Sequence, residues 1–143
     1  MYEFNLSYYT IRLLKYKSDT YDNFIYHMAI DDSTLKIPII RLKFSDKTAY
    51  IIANTIKSKC DNLDIDNNDT MPTQSKISIS SIKLERYTKL DYNNYLTIYR
   101  TNDVISIDIH YDGNSIYIPN ITTSEIRSFY NALLDEYDYC LVD

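Results

Sequence analysis

The stretch from Val104 to Leu134, VISIDIHYDGNSIYIPNITTSEIRSFYNALL, decides the fold. Val104 to Tyr111 alternates apolar and polar side chains, the period of a strand with one face buried. Asp112-Gly113-Asn114 follows and holds the only glycine of the chain. A tight turn there needs positive φ, so the tripeptide marks a hairpin into a second alternating run, Ser115 to Ile118. From Thr122 or Thr123 the period lengthens. Glu125 falls in the first turn, and Ile126, Phe129, Tyr130, Leu133 and Leu134 make the apolar stripe of a helix. Upstream, about Lys76 to Tyr87 and Tyr95 to Thr101 also alternate, which completes an antiparallel sheet closed by a helix.

The first half carries the same plan. Glu3 to Lys17, Phe24 to Ile30 and Leu35 to Phe44, the last broken by Pro38, read as strands. Ser45 can cap a helix, and Ala49, Ile52, Ala53 and Ile56 share one helical face up to about Cys60. Asp61 to Ser75, acidic and Asn-rich with a proline at 72, is the linker. The expected organisation is a first sheet-and-helix unit over 1–60, a linker over 61–75 and a second unit over 76–143, sharing one compact domain. An ungapped shift of 71 positions lays Ile11-Arg12-Leu13 on Ile82-Lys83-Leu84, Lys15-Tyr16 on Arg86-Tyr87, and Tyr21 to Ile25 on Tyr92 to Leu96. The fold class is therefore α+β: two repeats of a three- to four-stranded antiparallel sheet, each closed by a C-terminal helix.

Asn102 to Ile109, Ser115 to Ile118 and Ser124 to Leu133 together follow an order that resembles the PC4-type single-stranded DNA-binding fold, also seen in related bacterial and phage proteins. The resemblance covers the second half directly and the first half by way of the repeat. It implies a tandem module that binds single-stranded nucleic acid. Members of that family usually carry Gly and Lys just before the last strand, whereas Asp112-Gly113-Asn114-Ser115 supplies no Lys.

Composition narrows the setting. Sixteen Tyr against four Phe and no Trp is more phenol than a core of this size needs. Such an excess belongs on sheet faces or contact surfaces that meet an amphipathic partner. One Gly and three Pro beside abundant Ile, Asn, Lys, Tyr and Asp reflect an AT-rich genome, that of a low-GC bacterium, its phage or a large DNA virus. A net charge of -5 weighs against broad attraction to duplex DNA, which rests on counterion release by Lys and Arg. Cys60 and Cys140 are too isolated for a disulfide framework and read as free thiols of a reducing compartment. With no secretion signal and no apolar run of about twenty residues, the expected location is the cytoplasm of a host cell.

Two surfaces stand out as binding candidates. Alternation puts Thr10, Arg12 and Tyr16 on one face of a strand, mirrored through the repeat by Ser81, Lys83 and Tyr87, with Arg86 beside them. A cation next to a phenol suits a nucleotide or a single strand, since the charge neutralises phosphate and the ring stacks on a base. Asp61, Asp64, Asp66 and Asp69, and Asp135, Glu136 and Asp138, could instead present negative charge to the basic groove of a host nuclease or signalling effector. Ser106, Asp108 and His110 share a face, and with His27 they include the only imidazoles. No second His or Cys follows at ligand spacing, so a polar outer sheet face is expected there rather than a metal or acid-base centre. No nucleophile elbow, phosphate loop or zinc signature occurs, and one Gly cannot build a phosphate loop.

The chain is thus expected to be a non-enzymatic binding protein without cofactor or metal. One reading is a phage or mobile-element inhibitor of a host defence system, anti-CRISPR in type, that occupies a nuclease or effector or sequesters a nucleotide signal. The other is the tandem single-strand-binding module. A homodimer through an exposed strand edge is compatible with both.

Overall fold

The computed structural model describes residues 2–17, 24–61, 73–83, 86–101, 104–134 and 140–141. Strands β1 (Tyr2–Asn5), β2 (Tyr9–Lys17), β3 (Phe24–Asp32) and β4 (Pro38–Ser45) precede helix α1 (Asp46–Asp61). Strands β5 (Thr73–Lys83), β6 (Arg86–Thr101), β7 (Val104–Tyr111) and β8 (Asn114–Ile121) precede helix α2 (Thr123–Leu134), and the short strand β9 (Cys140–Leu141) follows. Each set of four pairs antiparallel in sequence order, β1-β2-β3-β4 and β5-β6-β7-β8, while β9 adds in parallel to β2. This is the α+β tandem layout that the alternation and the two helical stripes predict.

Local chemistry explains the element ends. Ser45 Oγ accepts the Thr48 N–H at 3.2 Å and so caps α1. At α2 the cap is reciprocal: Thr122 Oγ1 accepts the Glu125 N–H at 3.3 Å while Glu125 Oε1 accepts the Thr122 N–H at 3.1 Å. Asp112 and Gly113 have φ of 52° and 79°, the paired positive values of a two-residue hairpin turn.

Several boundaries differ from the sequence expectation. The run Glu3 to Lys17 is a hairpin, with the Leu6 N–H donating to the Tyr9 carbonyl at 2.9 Å and Phe4 pairing with Ile11. Apolar residues fall on even positions at Tyr2 and Phe4 and on odd ones at Ile11 and Leu13, and that change of phase marks the turn. Leu35 lies in a turn rather than a strand, because Asp32 Oδ1 accepts the N–H groups of Thr34 and Leu35 at 2.9 and 2.7 Å. β6 starts at Arg86 and runs through residues 88–94, which show no alternation, and β5 meets it across two register shifts. β8 continues past Ile118 through Pro119, as the end strand of its sheet permits.

The apolar faces of both sheets and the stripes of both helices join one core. The halves interlock there. Phe129 of α2 meets Phe4 of β1 edge-on at 5.6 Å, and the Tyr26 hydroxyl of β3 donates to the Leu133 carbonyl of α2 at 2.8 Å. Among the described residues no helix is long and apolar enough to cross a membrane.

The repetition resides in strand order, and the register of 71 does not connect equivalent strands. By order, β6 occupies the place of β2, whereas that shift lays β2 over the end of β5. Within the sheets, Ile11, Leu13 and Lys15 pair with Ile30, Met28 and Tyr26, and Leu96, Ile98 and Arg100 pair with Ile109, Ile107 and Ile105. Each copy therefore carries two apolar residues and then a buried cation, Lys15 at 6% and Arg100 at 5% exposure. A chain so rich in Tyr, Asn and Ile supplies chance matches at other offsets.

Candidate functional site

The outer face of the second sheet gathers aromatic and polar side chains that register alone explains. Tyr95 pairs with His110 and Thr97 with Asp108 across β6 and β7, and Asp108 pairs with Tyr117 across β7 and β8. Because paired residues share a face, these side chains and Tyr99 stand together on the side away from the core. Tyr95 and His110 stack at 4.5 Å with their planes 22° apart, and Lys76 of β5 places its ammonium 4.0 Å from the Tyr95 ring centre. His110 Nε2 lies 3.1 Å from Asp108 Oδ2. Tyr99 and Tyr117 meet edge-on at 6.5 Å, and Tyr117 is 52% exposed. The result is a cation, a stacked ring pair, a carboxylate and two further phenols on one outer sheet face, Tyr95, Tyr99, Asp108 and His110 being half-buried there.

This order does not suit proton relay. In a nucleophile-base-acid relay the imidazole touches both other groups. Here Asp108 stands between His110 and Ser106 along β7, and Ser106 Oγ accepts the Asn120 N–H at 3.3 Å. Among the described residues no three His, Cys, Asp or Glu side chains converge as metal ligands.

The outer face of the first sheet is built from charges. Arg12 Nη2 donates to Asp31 Oδ2 at 2.6 Å, so its guanidinium is held by a carboxylate of the neighbouring strand. Tyr16 stands on the same face of β2 two pairs further along, opposite Ile25, and burial pushes its phenol above the ordinary value. Across β3 and β4, His27 pairs with Lys43 and Ala29 with Arg41. His27 is held below its usual value by burial, then by the charges of Lys43 and Arg41.

The structure brings Arg12 and Tyr16 onto one face, as alternation predicts. The backbone pairs Lys83 with Arg86 and Ile82 with Tyr87 where β5 meets β6, while the side chains of Lys83, Arg86 and Tyr87 lie outside the described residues. They are not the structural counterparts of Arg12 and Tyr16, which by strand order and pairing correspond to Thr97 and Thr101 of β6, whereas Lys83 ends β5 and Arg86 and Tyr87 begin β6. Asp61 ends α1, whereas Asp64, Asp66, Asp69, Asp135, Glu136 and Asp138 lie outside the described residues.

Sequence reasoning missed the aromatic array and the Arg41–Lys43 pair. A usable signal existed. The β6–β7 register sets Tyr95 against His110, and the Asp112-Gly113 turn sets Asp108 against Tyr117. Elsewhere, Lys15, Phe24, Tyr26, Asp46, Lys47 and Leu134 are among the residues lining a cavity of about 670 Å³, with the Lys15 ammonium 4.7 Å from the Phe24 ring centre. No family model, no curated protein and no solved structure matches the chain.

Proposed function

We propose that this is a non-enzymatic binding protein that receives an unstacked nucleobase, of a single strand or of a free nucleotide, on the outer face of its second sheet. The observation that carries the reading is the array of Lys76, Tyr95, His110, Tyr99 and Tyr117 on one outer sheet face, with Lys76 and Tyr117 exposed and the other three half-buried. Sheet-borne aromatic rings bind bases by stacking, and a neighbouring cation neutralises the phosphate. Stacking is indifferent to net charge, so it suits a chain of -5 better than binding through counterion release. The reading agrees with what the resemblance to the PC4-type fold implies.

Fluorescence anisotropy of a labelled single-stranded oligonucleotide tests it, with mononucleotides as competitors. Base-aromatic stacking contributes about 1–3 kcal/mol per base, so Tyr117→Ala and Tyr99→Ala are each expected to weaken binding by about 5- to 150-fold. Competition by a mononucleotide at concentrations close to the oligonucleotide's own would assign the face to a free nucleotide. Unchanged affinity in both variants would remove the base-binding reading. Retention of a protein but no nucleic acid from a bacterial lysate would favour the inhibitor reading.

A further inference from the structure

We propose that the outer face of the first sheet carries a phosphate-binding site formed by Arg41 and Lys43 of β4 with His27 of β3. The site does not depend on what the second sheet binds.

The register builds it in two rows. Leu14, His27 and Lys43 lie side by side across β2, β3 and β4, and Arg12, Ala29 and Arg41 form the adjacent row. Ala29 has only a methyl group, so the middle of the second row is a shallow floor between two guanidinium-bearing side chains. Arg41 and Lys43 are exposed, alternate along one strand, and so project from the same face about 7 Å apart. That spacing lets two cations grip one phosphate from both sides or two successive phosphates of an extended strand. Arg41 brings a planar fork that matches phosphate oxygens, and Lys43 a compact charge.

Charge on this face is arranged unevenly. Its carboxylates are both engaged on Arg12: Asp31 of β3 accepts from it at 2.6 Å, and Glu3 of β1 pairs with it across β1 and β2. Arg41 and Lys43 form no ion pair with a described residue, although the chain as a whole carries -5. His27 stands opposite Lys43 and diagonal to Arg41, and its proton affinity is lowered by burial, by Lys43 and by Arg41. Groups facing His27 are Leu14, with Arg12 and Tyr16 diagonal to it, on β2, and Lys43, with Arg41 and Ser45 diagonal to it, on β4. Apart from the carboxylate-held Arg12 and the phenol, every titratable or charged member of that set is a cation. Three groups that repel one another's charge are held together by the strands, and a bound dianion relieves the repulsion. Phosphate supplies it with oxygens for each donor.

Two histidines make the test direct. With ¹³C-labelled histidine, NMR resolves His27 from His110, and inorganic phosphate is titrated against chloride at matched ionic strength and fixed pH. Saturable movement of the His27 signal with a raised apparent pKa is expected, with His110 still. Arg41→Gln/Lys43→Gln removes both charges and leaves unbranched polar side chains on exposed positions, and it should lower phosphate affinity by about tenfold or more. The unmoved His110 signal reports that the variant is folded. Equal movement with chloride, or unchanged phosphate response in the double variant, would overturn the site. A short single-stranded oligonucleotide that moves His27 at lower concentration than phosphate assigns it to a strand backbone, and the reverse order assigns it to free phosphate.

Discussion

Replacing Phe4 and Phe129 by Leu, singly and together, asks whether the two halves share one packed core. Phe129 is buried on α2, and Phe4, on the first strand, meets it edge-on at 5.6 Å with planes 85° apart. Leu keeps each site apolar but changes shape, so each single change should destabilise by up to about 1.5 kcal/mol. Edge-to-face pairs contribute about 0.5–1.5 kcal/mol beyond the area they bury, and this part is lost only once. The double variant should therefore be less destabilised than the sum of the two, by about 1 kcal/mol. Urea denaturation reads this as shifts in midpoint at constant slope. Additivity to within about 0.3 kcal/mol would refute the contact. Two separate transitions in the parent protein would refute the shared core itself.

Thr122→Ala removes the side-chain acceptor of the Glu125 N–H and the hydroxyl that Glu125 grips, and should cost about 1 kcal/mol, or about 3–4 °C in Tm by calorimetry. Gly113→Ala meets no atom within 4 Å, so its cost of about 1–2 kcal/mol is purely that of holding Ala at φ 79°; a urea midpoint equal to the parent's would contradict this turn geometry. Arg41→Gln/Lys43→Gln should raise the His27 pKa toward its ordinary 6.5, as followed by NMR titration. Folded His27 titrates below that value, so on acidification the unfolded chain takes up this proton first and stability falls through that window. The double variant should lose less stability than the parent between pH 7 and the folded pKa.

The second half was the more legible because its signals are local. The alternation of Val104 to Tyr111, the Asp112-Gly113 turn and the Thr122–Glu125 cap each lie within a few residues, and each recurs in the structure. The β1–β2 hairpin was hidden because Leu6 to Tyr9 contains neither Gly nor Pro, and only the phase of the apolar residues betrays it. Residues 88–94 fall within β6 yet lack alternation, and their partner strand is shifted twice in register, so period carries no information there. Arg12 and Tyr16 were found on one face because i and i+4 on a strand share it by necessity. That Asp31 holds Arg12 required the β2–β3 register, and so did the crowding of His27 by Lys43 and Arg41. The aromatic array joins residues from β5 to β8, and pattern within a single strand cannot show it. The acidic segments that motivate the inhibitor reading were legible only as composition.

Ring signals of Tyr95, Tyr99, Tyr117 and His110 in an NMR titration with a short single-stranded oligonucleotide test the base-binding face most directly. These four are expected to move together, upfield as a base stacks over them, and Tyr117→Ala is expected to suppress the movement of the rest. A titration in which the oligonucleotide binds while these signals stay fixed, or in which no binding is seen at low salt, would contradict the base-binding reading.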